Sequence, residues 1–166
     1  MTPSSGYDPA QYPPFAVTAD TAVMKMKEGE LQIVLVERGN DPFKGSWALP
    51  GGFVEPDEDL ASAAVRELEE ETGLVIRADQ VEQLGAYGQP GRDPRMRVVT
   101  VTFWVLLDEV GELIGGSDAA SAALIPVIEA LSDPANLAFD HHLIVGDAAE
   151  RARAALDTSG EGSNSG

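Results

Sequence analysis

The stretch Gly51-Gly52-Phe53-Val54-Glu55-Pro56-Asp57-Glu58, resumed after seven residues by Arg66-Glu67-Leu68-Glu69-Glu70-Glu71-Thr72-Gly73-Leu74, decides how the rest of the chain is read. A glycine pair lets the backbone approach a ligand or metal closely. Pro56 and Asp57 are helix-start signals and Gly73 is a stop signal, so the spacing predicts a helix over 57–72. On that helix Glu67, Glu70 and Glu71 stand at i, i+3 and i+4 and project from one face. Glu69 points roughly the opposite way. Three carboxylates so close repel one another. Hard divalent cations with oxygen ligands relieve such crowding, and magnesium is the usual one beside phosphates. A solvated acidic helix face would account for the glutamates alone. It accounts less well for the Gly-Gly turn, for Arg66, and for the apolar Leu68 and Leu74 at fixed spacing. Arg66 and Glu58 lie two helical turns apart, so any pairing between them requires the loop to fold back.

Outward from this stretch, the pattern mixes strands and helices. Residues 15–26 carry β-branched residues in weak alternation, Glu28-Gly29-Glu30 makes a turn, and 31–37 reads as a strand, giving a hairpin. Residues 38–45 form a loop broken by Gly39, Pro42 and Gly45. Trp47 to Leu49 is a short extended piece. Residues 97–107 are β-branched and aromatic and predict a strand, as do 122–127. Residues 127–131 and 143–156 read as helices. The expected architecture is α+β or α/β around one mixed sheet. Residues 1–13 read as a flexible arm, 14–156 as one domain, and the Ser/Gly-rich 157–166 as a disordered tail.

The chain has 166 residues, which suits one core, and no cysteine, which removes disulfides, thiolate zinc sites and thiol nucleophiles. Its net charge is −17, from 28 acidic and 11 basic residues. Such a surface repels nucleic-acid phosphates and argues against a polymeric nucleic-acid partner. A small anion can still bind where cations neutralise it locally. No apolar run reaches membrane-spanning length, and the N-terminus lacks the basic and apolar regions of a secretory signal. These features, with the absent cysteines, fit a cytoplasmic protein.

Written as a pattern, Gly52 to Leu74 is G-x5-E-x7-R-E-L-x-E-E-x-G-L, which matches the Nudix box at every defined position. The chain thus resembles the Nudix hydrolases. The resemblance implies their fold, an α/β/α sandwich with a mixed central sheet flanked by helices. It implies Glu67, Glu70 and Glu71 as ligands of Mg2+ (Mn2+ as a substitute), with the Gly52 carbonyl as a further ligand. It implies Glu70, Glu67, Glu71 and Arg66 as the catalytic set, and Arg66 and Glu58 as a salt bridge tying loop to helix. Glu55 lies in the family's G-G-x-x-E extension. In the family, metal ions polarise a pyrophosphate and activate a water that attacks phosphorus in line.

Other stretches look like the ADP-ribose pyrophosphatase branch, which includes the ADP-ribose-sensing Nudix repressors: Tyr12-Pro13-Pro14-Phe15, Val36-Glu37-Arg38-Gly39, Trp47 to Phe53, Gly91-Arg92-Asp93-Pro94-Arg95 and Phe139-Asp140-His141. Pro90 stands where that branch tends to carry a proline beyond the box. Arg92 and Arg95 flank an Asp-Pro turn and suggest a phosphate or ribose clamp, with Arg38 a further phosphate contact. A solvated pair would look the same. Trp47, Tyr87 and Phe43 are stacking candidates for adenine, or simply packing residues. Adjacent His141 and His142 diverge on a helix and read as structural.

One loop departs from the branch. Ser121-Ala122 stands where an acidic residue is often found, and Ala123-Leu124 replaces Arg-Trp. Asp118 is the best remaining general base, with Glu109 and Glu112 behind it. The leading expectation is hydrolysis of ADP-ribose to AMP and ribose 5-phosphate. The alternatives are a broader hydrolase acting on NADH or nucleoside triphosphates, and a non-catalytic ADP-ribose sensor. The intact box and a chain ending at Gly166, without room for a winged-helix module, favour the enzyme. Relatives of the branch are commonly dimers, so the resemblance also implies a homodimer.

Overall fold

The computed structural model describes residues 6–116 and 119–161. Strand β1 (Ala16–Lys27) turns at Glu28-Gly29 into β2 (Glu30–Arg38), and both turn residues have positive φ (51° and 81°). That is the backbone hand that suits a two-residue hairpin. β1 is buried over most of its length, on both faces, and pairs in parallel with β6 (Val98–Leu106) from Ala16 to Met24. β5 (Glu82–Tyr87) completes that side, antiparallel to β6. On the other side β7 (Ala119–Pro126) pairs antiparallel with β2.

The hairpin then splits. Only Met24 to Lys27 of β1 pair with β2. Beyond that point the two strands separate, and two short strands fill the gap. β3 (Trp47–Ala48) pairs with β2, while β4 (Gly51–Phe53) pairs with Thr18, Ala19 and Asp20 of β1. The Leu49-Pro50 corner crosses the split, and the Thr21 N–H donates to the Pro50 carbonyl at 3.0 Å.

Helices cover both faces, as the expected sandwich requires. α1 (Leu60–Thr72) packs Ala63, Ala64 and Leu68 against Ala19, Val23 and Val34. On the opposite face α2 (Val127–Ala130) and α3 (His141–Glu161) pack against Ala22, Met24, Ile33, Leu35 and Trp104. Adjacent residues of β1 and β2 therefore serve opposite cores, which is the period-two pattern of a strand buried on both faces.

Several boundaries differ from those expected. α1 starts at Leu60 rather than residue 57, because Glu58 turns back to Glu55 and Arg66 instead of entering the first helical turn. Gly73 ends it in the left-handed region (φ 77°), its N–H bonded to the Glu69 carbonyl. β4 and β5 were not anticipated: glycines depress strand propensity, and the exposed face of β5 gives little apolar signal. β7 begins at Ala119, before the expected residue 122. α3 continues to Glu161, past the tail expected from Asp157. A helix anchored by a packed face propagates through weak formers, and the hydroxyls of Thr158 and Ser159 return hydrogen bonds to the carbonyls of Ala154 and Ala155. Among the described residues no helix is long and apolar enough to cross a membrane.

Leu68 is fully buried while the adjacent Glu69 faces solvent. Leu68→Ala should cost about 2–5 kcal/mol in urea unfolding, and Glu69→Ala should stay within roughly 0.5 kcal/mol of the parent. Equal midpoints for the two variants would contradict this packing of α1.

Candidate active site

β4 and α1 approach so closely that only glycine fits between them. A Cβ on Gly52 would lie 2.5 to 2.7 Å from the carboxylate atoms of Glu67. Gly51 lies against the side chain of Asp20, its partner on β1, and its N–H donates to Glu71 Oε2 at 3.1 Å. The glycine pair is extended strand, and the close approach of three carboxylates is what requires it.

Arg66 stands behind this group. Its Nε and Nη2 bond both Glu58 oxygens, at 2.9 and 2.6 Å. Its Nη1 reaches Glu67 at 2.9 Å and Glu70 at 3.3 Å, and Nη2 also reaches the Phe53 carbonyl. Glu58 in turn accepts from the Glu55 N–H. The loop is thereby held to the helix by a bidentate ion pair, the strongest form of such a contact. Arg66 pulls the Glu58 carboxyl down to about 2.

The site opens into a cavity of about 370 Å³ lined by acids (Asp20, Glu67, Glu71) and by guanidiniums (Arg38, Arg92, Arg95). Burial pushes the Glu71 carboxyl up to about 8, and Glu67 and Asp20 add to that, against the Gly51 N–H and Arg38. Burial raises Glu67 too. Asp20 is pushed up to about 6 by burial, opposed by the Thr100 hydroxyl that donates to it. Crowded, desolvated carboxylates disfavour their own ionised forms.

Among the described residues no group of three or more acidic or histidine side chains is arranged to hold a metal ion as it stands. Arg66 and the Gly51 N–H already engage Glu67, Glu70 and Glu71. The donor chemistry nonetheless fits a hard divalent cation: every side chain of the group offers oxygen only, and a cation would relieve the pressure that raises Glu67 and Glu71.

The other expected site residues divide. Arg38 and Arg95 line the cavity. Arg92 does as well, but its fork is engaged by Asp140 at 2.6 and 3.0 Å and its side chain is 4% exposed, so it pins the 88–95 loop to the start of α3. Trp47 packs into the α3-side core, away from the cavity, because it sits on β3 facing that core. Pro90 is exposed and does not line the cavity. Tyr87 donates to Asp147, and Phe43 packs on Phe139. Glu109 pairs with Lys25 at 2.8 Å, and neither it nor Glu112 lines the cavity. Glu55 contributes its backbone N–H to Glu58. Asp118 lies outside the described residues.

Three residues of the site were not singled out from the sequence. Asp20 had a usable signal, a lone charge inside an apolar strand. Asp140 and Phe139 belonged to a stretch already noted, but their partners Arg92, Arg38 and Arg95 come from distant parts of the chain. His141, read as structural, is buried, and its Nδ1 accepts from the Leu49 N–H at 3.0 Å. Its Nε2 therefore carries the proton and faces Asp20 from 4.0 Å.

Comparison with known proteins gives a consistent picture. The family model described as the NUDIX domain matches residues 15–145. The ADP-ribose pyrophosphatase of Methanocaldococcus jannaschii is 44% identical over 76% of this chain and 70% of its own length. An ADPR responsive transcriptional repressor, NtrR of Acinetobacter baylyi, is 38% identical over 82% of this chain, which spans only 54% of that protein. Among solved structures, the NUDIX domain of Shewanella oneidensis NrtR, crystallised with ADP ribose, superposes with a TM-score of 0.78 at 33% identity, covering 89% of this chain and 94% of that one.

Two outcomes test this geometry. Gly52→Ala should displace Glu67 and abolish turnover while far-UV circular dichroism stays unchanged; an active variant would mean that strand and helix are not so close. Burial holds His141 down at about 3, against 6.5 unfolded. A depressed histidine is protonated first in the unfolded state, so its contribution is complete above about 6.5 and lost as pH falls toward 3. Asp20, raised, works with the opposite sign between 3.8 and about 6. Stability measured against pH should therefore fall more steeply below pH 6.5 in the parent than in His141→Asn, by up to about 1.4 kcal/mol per pH unit. Parallel curves would contradict the neutral, buried imidazole.

Proposed function

Because the chain belongs to the Nudix family, we propose that it hydrolyses the pyrophosphate bond of a nucleoside diphosphate derivative, with ADP-ribose as substrate and AMP and ribose 5-phosphate as products. The observation that carries this reading is the glycine strand set against Glu67 and Glu71 in a cavity that also exposes Arg38 and Arg95. Glu67, Glu70 and Glu71, with the Gly52 carbonyl, would hold Mg2+ or Mn2+. When bound, the cation neutralises phosphate charge and lowers the pKa of water.

The chain's own residues supply the rest. Arg66, tied to Glu58, fixes the angle at which Glu67 and Glu70 present their oxygens. Arg38 and Arg95 bind the anionic ends of the substrate, while Arg92 holds the loop that carries Arg95. A water oxygen attacks one phosphorus in line, the bridging P–O bond breaks, and the water's proton passes to solvent or to Asp118 as base. A broader nucleotide range and a sensing role are the competing readings, the latter favoured by the similarity to an ADP-ribose-responsive repressor. A homodimer, active in the cytoplasm, completes the proposal.

With magnesium present, AMP should be released from ADP-ribose faster than from NADH or nucleoside triphosphates, and chelation should stop it. Glu71→Gln should lower kcat at least about a hundredfold. Tight ADP-ribose binding without turnover would identify a sensor instead, and near-normal turnover in Glu71→Gln would remove the metal assignment.

A further inference from the structure

Phe139 precedes α3 with φ at 53°, the left-handed region, which is an outlier for a bulky side chain. Such a conformation persists where its surroundings fix it from several sides. Here the Ala138 N–H bonds the Trp47 carbonyl, Asp140 grips Arg92, and His141 accepts from Leu49. The segment is thus anchored on both sides of the ring, and the ring is delivered into the cavity.

Two cations meet it there. The Arg38 guanidinium carbon lies 5.0 Å from the ring centroid and that of Arg95 lies 5.8 Å away. Arg95 is also 5.2 Å from Phe53. The guanidiniums come from separate elements, the end of β2 and the 88–95 loop, and repel each other. An aromatic ring attracts both through its quadrupole without cancelling their charge, which a carboxylate would do and an aliphatic side chain could not. In a chain of net charge −17 the ring thus adds a contact to each guanidinium without adding a further negative charge. Asp93 takes the Nε and Nη2 of Arg95, and the Pro42 carbonyl takes the Nε of Arg38. Hydrogen bonds and the ring thus act together on both forks: Asp93 with Phe139 on Arg95, and the Pro42 carbonyl with Phe139 on Arg38.

We propose that Phe139 is a positioning residue that holds Arg38 and Arg95 together as one clamp for the phosphates of the substrate. The proposal rests on the reading of those arginines as substrate contacts given above. It concerns anion binding, and so can be separated from the identity of the substrate. Phe139→Leu keeps bulk and removes the quadrupole, and Phe139→Tyr keeps both. Phe139→Leu should raise the KM for ADP-ribose about five- to tenfold with kcat changed less than about twofold, and Phe139→Tyr should restore the parental KM.

Calorimetric titration with inorganic pyrophosphate in excess magnesium gives a readout independent of turnover. Affinity should weaken by a similar factor in Phe139→Leu and not in Phe139→Tyr. If the parent binds pyrophosphate in this pattern yet does not hydrolyse ADP-ribose, the clamp stands and the substrate reading fails. Four outcomes overturn the clamp: no pyrophosphate binding by the parent; unchanged pyrophosphate binding in Phe139→Leu; equal loss in the Leu and Tyr variants; or weakened binding of AMP with pyrophosphate unaffected, which would make the ring a stacking surface for the base.

Discussion

Everything in this site depends on keeping like charges together. Asp20, Glu67 and Glu71 are brought against one glycine pair, two of them largely buried, and Glu70 stands on the next rung of the same helix face. Water cannot screen such a group fully, and the raised carboxyls of Glu71, Glu67 and Asp20 record the cost. What balances it is Arg66, placed behind the cluster and fixed there by Glu58. An arginine suits this task because its planar fork serves several acceptors at once in fixed directions. A lysine could match the charge but not the simultaneous contacts to Glu58, Glu67, Glu70 and the Phe53 carbonyl.

The second requirement is a backbone with room for this cluster. The split of the β1–β2 hairpin provides it. Where β1 leaves β2, the unpaired edges of both strands would be costly to bury, and β3 and β4 satisfy them. The corner between those short strands is held in turn by His141, whose imidazole accepts the Leu49 N–H. A neutral buried histidine does this well, since it offers an acceptor at Nδ1 without bringing another charge beside Asp20. The packing of α3 and the strand that carries the glycine pair are thus mechanically connected through His141, the first residue of that helix.

The sequence disclosed these features unevenly, for physical reasons. Glu58, Arg66, Glu67, Glu70 and Glu71 were legible because helix periodicity turns spacing into direction, and because a glycine pair ahead of an acidic helix is costly to keep without purpose. The helices and long strands followed from apolar period. β4 was missed because its glycines carry no pattern, and Trp47 was misassigned because an aromatic residue suits a core and a nucleotide equally. The partners of Arg92 and Phe139 were illegible for a different reason: they are pairings across more than forty residues, fixed by tertiary folding and not by local spacing. Arg92 illustrates the consequence. Sequence shows two arginines flanking a turn, and only the fold separates Arg92, committed to Asp140, from Arg95, which faces the cavity.

This division also explains how so acidic a protein can take an anion. Long-range repulsion from the net charge is screened over about 8–10 Å at ordinary ionic strength, so recognition must be local. The chain has 11 basic residues, and three of its arginines line this one cavity while a fourth stands behind its floor. None of them is left to find its own place: Asp140 orients Arg92, Asp93 and two aromatic rings orient Arg95, and the Pro42 carbonyl and Phe139 orient Arg38. A preordered guanidinium loses less side-chain freedom when a phosphate arrives. The acids hold their positions without a ligand through Arg66, and the cations hold theirs through Asp140, Asp93, the Pro42 carbonyl and the aromatic rings. The same cavity therefore presents both signs of charge at short range, each held in place by partners of its own.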